Sequence, residues 1–149
     1  MPDADADDVA RLRIALARVA RALDRQTRGH ELTRTQASVL ATAARLGPLR
    51  ITELAEIEGV NPTMLSRIVA KLEDAGLLHR SPDPEDRRAA LVEPTAEGWA
   101  LQQRLRDERT RLLAEHLAGL PEEHATGLLA ALPAIEALAE ALVAAKVSA

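Results

Sequence analysis

The chain has no cysteine, no phenylalanine and no tyrosine, and Trp99 is its single tryptophan. The absence of cysteine excludes a disulfide scaffold, a thiolate zinc site and sensing by thiol oxidation. No apolar run is long enough to cross a bilayer, and residues 1–8 are acidic where a secretory signal would be basic. A cytoplasmic protein with no membrane partner is expected. Positive charge is also in deficit: 19 Lys and Arg against 23 Asp and Glu leave a net charge of −4. That is the reverse of a generic nucleic-acid coat, so any attraction for nucleic acid must come from local placement of basic side chains. There is no glycine-rich phosphate loop, no activated-serine elbow and no histidine placed with a nucleophile. The reading is a non-enzyme without cofactor. His30, His79, His116 and His124 are scattered; a zinc role at Glu115-His116 and Glu123-His124 is the alternative to solvated histidines, and no metal site is expected.

What is present concentrates between Ile51 and Gly98. Thr52 is placed to cap a short helix in which Leu54, Ala55 and Ile57 face inward, and Gly59 ends it where a left-handed residue is needed. After the turn Gly59-Val60-Asn61, Asn61 is a good N-cap and Pro62 fits the first helical position, where its missing N–H is no loss. The spacing predicts a second helix over about 62–75. Its Leu65, Ile68, Val69 and Leu72 recur at i, i+3, i+4 and i+7, forming a stripe that must be buried. The opposite face carries Thr63, Ser66, Arg67, Ala70 and Lys71. These offer hydroxyl, guanidinium and ammonium donors around one small methyl, a face that can approach base edges and phosphates closely. Gly76 stops the helix, Leu77-Leu78-His79-Arg80 turns into a strand, Pro82 and Pro84 stiffen the following loop, and Ala89-Ala90-Leu91-Val92 returns. Residues 83–88 are thus the tip of a hairpin spanning about 77–94. Asp86 and Arg88, two apart in an extended segment, share a face on which the carboxylate holds the guanidinium. An arginine preset on a narrow projection suits the negative potential of the minor groove. In an acidic chain this requires Arg67, Lys71, Arg80, Arg87 and Arg88 to gather on one surface while Glu73, Asp83 and Glu85 point elsewhere.

The flanks carry more apolar surface than this middle can cover. From Val9, the residues Leu12, Leu16, Val19 and Leu23 continue at alternating steps of three and four, a heptad-like seam that needs a partner. Thr95 to Leu117 reads as a long helix with Leu101, Leu105, Leu112 and Leu113. Pro121 opens a final helix with Leu128, Leu132, Ile135, Leu138 and Leu142. A monomeric helical bundle is one reading of these patterns.

The ordered series resembles the MarR-type winged helix-turn-helix transcriptional regulators of bacteria over nearly the whole chain. Its most specific portion is Leu72-Glu73-x-x-Gly76-Leu77-Leu78-x-Arg80, then Asp83-x-x-Asp86-x-Arg88, then Val92-x-Pro94-Thr95-x-x-Gly98. Upstream, Leu32-Thr33-x-x-Gln36 is similar to the family's second-helix start, with Thr33 and Gln36 able to form a reciprocal capping box. Pro94 stands where the family usually has leucine and is expected to shorten the last wing strand.

The resemblance implies a mainly α fold with a small β-wing, a six-helix homodimer. In it, residues 1–30 with 99–149 form the helical dimerisation region and 31–98 the winged helix-turn-helix region. It implies recognition of an inverted repeat with half-sites about 10 base pairs apart. The DNA-binding residues would be Asn61, Pro62, Thr63, Ser66, Arg67 and Lys71 from the recognition helix. Arg88 would enter the minor groove, oriented by Asp86, and Arg87 would face the backbone. The resemblance implies too that a small, often aromatic effector enters a crevice between dimer helices and winged unit. Trp99 is a candidate to stack on it, with Arg28, His30 or Arg45 as polar partners; core packing is its alternative role. The expected function is a sequence-specific regulator that represses by occluding a promoter. A helical adaptor that has lost DNA binding and an architectural protein that coats DNA without sequence choice are the competitors. Intact Asn61-Pro62-Thr63 and Asp86-x-Arg88 argue against the first, and the acidic net charge against the second.

Overall fold

The computed structural model describes residues 5–26 and 32–147. In chain order they form α1 (Ala6–Gln26), α2 (Arg34–Leu46), β1 (Leu49–Arg50), α3 (Ile51–Glu58), α4 (Pro62–Asp74), β2 (Leu78–Pro82), β3 (Ala90–Pro94), α5 (Ala96–Ala118), α6 (Glu122–Ala130) and α7 (Leu132–Val147). The chain divides within α5 into two packing units, Met1–Thr110 and Arg111–Ala149.

In the first unit, helices start where a side chain can accept from orphan backbone donors. Thr33 Oγ1 accepts the Gln36 N–H at 3.2 Å while Gln36 Oε1 accepts the Thr33 N–H at 2.8 Å, completing the capping box of α2. Asn61 Oδ1 accepts the Met64 N–H at 2.9 Å, and Pro62 is the first residue of α4. Gly59 and Gly76, with φ of 67° and 71°, make the left-handed turns after α3 and α4. The cap of α3 departs from expectation. Pairing of β1 carries extended backbone only as far as Arg50, so the helix starts at Ile51 and the N-cap is Arg50, not Thr52. Glu53 Oε2 accepts the Arg50 N–H at 2.8 Å.

The stripe Leu65, Ile68, Val69 and Leu72 is buried with Val39, Leu40 and Ala43 of α2, Leu54 and Ala55 of α3, Leu78, Val92, and Leu101 and Leu105 of α5. Each fully buried leucine contributes roughly 1.5–3 kcal/mol by leaving water. Ile57, expected inside, is 40% exposed, because it lies at the margin of the narrow face that α3 buries through Leu54 and Ala55. Ser38 and Thr42 of α2 both donate to the Glu58 carboxylate, fixing the end of α3 against α2. Asp24 of α1 lies 3.4 Å from Arg34 Nη2 of α2 and 3.5 Å from Arg109 Nη2 of α5, so one carboxylate joins three helices.

The strands lie in the order β1-β3-β2, all antiparallel, with Arg50 opposite Leu91 and Leu78 opposite Pro94 through to Pro82 opposite Ala90. Pro82 is therefore the last residue of β2 rather than part of the loop. Pro94 ends β3 without cutting it short: it is buried opposite Leu78, beyond the two residues that pair with β1. Thr95 then caps α5. Its N–H donates to the Leu77 carbonyl at 3.1 Å, its hydroxyl donates to the Gly76 carbonyl at 2.6 Å, and the same oxygen accepts the Gly98 N–H at 3.0 Å. Gly98 is buried so close to β2 that a Cβ there would lie 2.0 Å from the Leu77 oxygen. The Pro94-Thr95-x-x-Gly98 run is thus a joint between wing and helix.

Two apolar surfaces are left over. On α1, Val9, Leu12, Leu16 and Val19 are 40–53% exposed. In the second unit Leu128, Leu129, Leu132, Leu138 and Leu142 are exposed likewise. Here the count of six helices is corrected: among the described residues there are seven. Pro133, second in α7, has no N–H for the Leu129 carbonyl and its ring crowds that group, so α6 stops at Ala130 and the chain restarts bent by 45°. Among the described residues no single helix is long and apolar enough to cross a membrane.

Candidate nucleic-acid interface

Burial of one stripe of α4 dictates which side chains the helix presents outward. Thr63, Arg67 and Lys71 are exposed, and Ser66 and Ala70 are half-buried. Pro62, Thr63, Ser66, Arg67 and Ala70 line a shallow cleft of about 500 Å³ with Arg80 of β2. A second cleft of about 250 Å³ lies between α4 and the start of α2, lined by Thr33, Thr35, Gln36, Met64, Arg67, Ile68 and Lys71. Arg67 borders both. Among the described residues, no carboxylate lies within ion-pair distance of Arg67 or Lys71. Asn61, grouped with these residues on sequence, has its side-chain oxygen engaged by the Met64 N–H.

The wing is organised around a residue expected to point away from it. Asp83 is only 5% exposed. Its Oδ2 receives Nε and Nη2 of Arg50, both at 2.6 Å, and its Oδ1 receives the Glu85 N–H at 2.8 Å. The Glu85 N–H and then the Arg50 hydrogen bond and charge hold the carboxyl below its ordinary 3.8, against an opposing push from burial. Asp83 in turn raises the Arg50 guanidinium. Asp86 also acts differently from expectation. Its Oδ1 accepts the Arg88 backbone N–H at 2.9 Å, and the Ala89 N–H returns to the Asp86 carbonyl at 2.9 Å. The segment is a turn, not extended chain, so the carboxylate shapes the backbone instead of holding the guanidinium. Arg87 and Arg88 are exposed and, among the described residues, without a carboxylate partner.

Glu73 does not turn away either. Its Oε2 is 2.9 Å from Arg80 Nε, a half-exposed pair worth about 0–1 kcal/mol that offsets the charge of Arg80 at the cleft rim. The residues that sequence reasoning missed are Arg50, Met64, which is exposed on α4 beside Arg67, and Asp83 as the wing's anchor. A two-residue strand has no periodicity, so nothing in the sequence ties Arg50 to a residue thirty-three positions on.

Only two of the four effector candidates, Trp99 and Arg45, lie among the described residues. Arg28 and His30 lie outside the described residues. Trp99 is 51% exposed, which corrects its core alternative, and Arg45 is exposed in the last turn of α2; no hydrogen bond or ion pair joins them. His79 sits 2.9 Å from Glu93 directly opposite it on β3, His116 Nδ1 is 2.8 Å from the Leu112 carbonyl, and His124 is 4.0 Å from Glu123.

A family model described as MarR family matches residues 32–90. An uncharacterised helix-turn-helix-type transcriptional regulator of Mycobacterium bovis is 35% identical over 120 residues, covering 80% of this chain and 84% of the relative. Among solved structures, a Mycobacterium tuberculosis protein superposes with a TM-score of 0.79 at 25% identity, covering 91% of this chain and 95% of that one. Streptococcus pneumoniae FabT, solved in complex with DNA, superposes with a TM-score of 0.68 over 91% of this chain and 99% of its own; at 15% identity that is a likeness of fold.

Proposed function

Because the chain belongs to the MarR family and is a DNA-binding transcriptional regulator, we propose that it acts as a homodimeric repressor of a palindromic operator. Residues 31–98 are the DNA-binding region, and 1–30 with 99–149 pair two copies. The apolar seam of α1 and the exposed leucines of α6 and α7 support that pairing, since leaving them in water in a lone chain costs free energy that burial against an identical surface recovers. Two-fold symmetry then sets two recognition helices about one turn of the duplex apart.

The observation that carries the reading is that four cations without a carboxylate partner among the described residues, Arg67 and Lys71 on α4 and Arg87 and Arg88 on the wing, stand on the two elements of a winged helix-turn-helix. Arg67 reads base edges in the major groove, where a guanidinium can grip a guanine edge bidentately. Thr63, Ser66 and Lys71 engage phosphates, with Asn61 and Pro62 fixing where α4 begins. Arg88 enters the minor groove on the turn that Asp86 shapes, and Arg87 meets the backbone. A repressor of this kind is released when a small ligand alters the spacing of the two recognition helices, and the half-exposed ring of Trp99 is the contact proposed for such a ligand.

Selection of bound duplexes from a random pool at near-physiological salt tests the function, with Arg67→Ala and Arg88→Ala in parallel. The wild type should enrich an inverted repeat, Arg88→Ala should weaken binding to every sequence, and Arg67→Ala should also relax base preference. A folded dimer that enriches no sequence would refute the operator reading and favour the adaptor.

A further inference from the structure

We propose that Arg50 is a positioning residue for DNA recognition: without touching the duplex, it sets through Asp83 where Arg87 and Arg88 stand relative to α4. This rests on the DNA-binding reading above.

Arg50 is fixed at its backbone on three sides. It pairs with Leu91 across the sheet, its N–H is held by Glu53, and it immediately precedes α3. Its guanidinium forks onto a single oxygen of Asp83, leaving the other oxygen for the Glu85 N–H. One carboxylate is thus divided between the helix-turn-helix body and the wing turn. From Asp83 the bonding continues: its N–H donates to the Ala89 carbonyl at 3.2 Å, the Ala89 N–H to the Asp86 carbonyl, and the Arg88 N–H to Asp86 Oδ1. An unbroken series of contacts therefore runs from β1 to the backbone of Arg88.

Little else holds this tip. The ladder between β2 and β3 ends at Pro82 opposite Ala90, and Pro82 and Pro84 contribute no N–H. Residues Pro84 to Arg88 are exposed, so no apolar contact replaces the bond that Arg50 makes. With Arg50 truncated, the Asp83 carboxylate keeps only its wing-side partner and moves toward water, and the turn is no longer tied to the body. A loosened tip must then be ordered on binding, and immobilising two arginine-bearing residues is a cost that weakens affinity about tenfold.

The test uses the full chain and a duplex selected by the wild type, with affinity read by fluorescence anisotropy and folding by circular dichroism melting. Arg50→Ala keeps the backbone N–H that Glu53 accepts, so the fold should persist while affinity falls about tenfold. Asp83→Asn, which removes the charge that Arg50 grips, should reproduce the loss, and Arg50→Lys should recover part of it. In an Arg87→Ala/Arg88→Ala background the effect of Arg50→Ala should shrink below about twofold, because Arg50 acts through the contacts of those two side chains. An equal loss in both backgrounds, or no loss in Arg50→Ala, overturns the proposal. Should the wild type select no duplex, the DNA-binding reading fails separately, and the strut is judged by ¹⁵N relaxation. The Glu85 and Arg88 amides should lose order in Arg50→Ala or Asp83→Asn, and unchanged order overturns it.

Discussion

A single methyl group tests the joint between wing and helix. In an open helix interior, glycine to alanine stabilises by about 1 kcal/mol, because alanine gives up less backbone freedom on folding. At Gly98 the added Cβ would lie 2.0 Å from the Leu77 oxygen, 3.0 Å from the Leu77 carbonyl carbon and 3.3 Å from the Pro94 Cβ. The first two are backbone atoms, and Leu77 is held there by the Thr95 N–H at 3.1 Å. A carbon and a carbonyl oxygen settle no closer than about 3.3 Å, so more than about 1 Å must open between β2 and α5. Overpacking against backbone costs about 1–3 kcal/mol, and the opening also disrupts the Thr95 cap, worth about 1 kcal/mol more. Set against the propensity gain, Gly98→Ala should destabilise by about 1–3 kcal/mol. Gly127, inside α6 with nothing within 4 Å, is the control, and there the same substitution should stabilise by about 1 kcal/mol. Denaturant unfolding at matched protomer concentration reads both. A Gly98→Ala variant within about 0.5 kcal/mol of wild type would refute the reasoning, since it would mean the joint yields freely.

Two further outcomes follow from the wing. Asp83 titrates below its ordinary 3.8 in the folded chain, so it contributes stability above the unfolded value and loses it as pH falls through the folded one. Between about pH 5 and 2 the wild type should therefore lose more stability than Asp83→Asn, and parallel acid limbs would contradict the Arg50 contact. If Arg87 meets a phosphate, Arg87→Ala should reduce the slope of log affinity against log salt by about 0.9, and an unchanged slope would remove Arg87 from the backbone.

The helix-turn-helix was legible because each of its boundaries is written locally. Asn61-Pro62 starts α4, Gly59 and Gly76 end α3 and α4, and a run of i, i+3, i+4 and i+7 apolar residues names the buried face. What stayed hidden depends on distant partners. Arg50 and Glu73 look like solvated charges until the sheet brings Asp83 to one and Arg80 to the other. Two-residue spacing puts Asp86 and Arg88 on one face only in extended chain; here the chain turns, so the carboxylate finds an amide and not a guanidinium. The break before α7 was signalled by Pro133, yet a continuous set of leucines masked it. Hydrophobic period says what is buried, whereas the partners of charged groups are decided by tertiary register.

Trp99 occupies the position after Gly98, half exposed in the first turn of α5, in a chain without tyrosine or phenylalanine. All of its intrinsic emission therefore originates at the joint between wing and α5, while far-ultraviolet ellipticity is spread over every helix. The two signals view different parts of one molecule. A change in emission with ellipticity intact reports the joint opening by itself, and coincident transitions report loss of the whole fold. The molecule carries a single aromatic fluorophore, and it sits beside the segment through which the wing is attached.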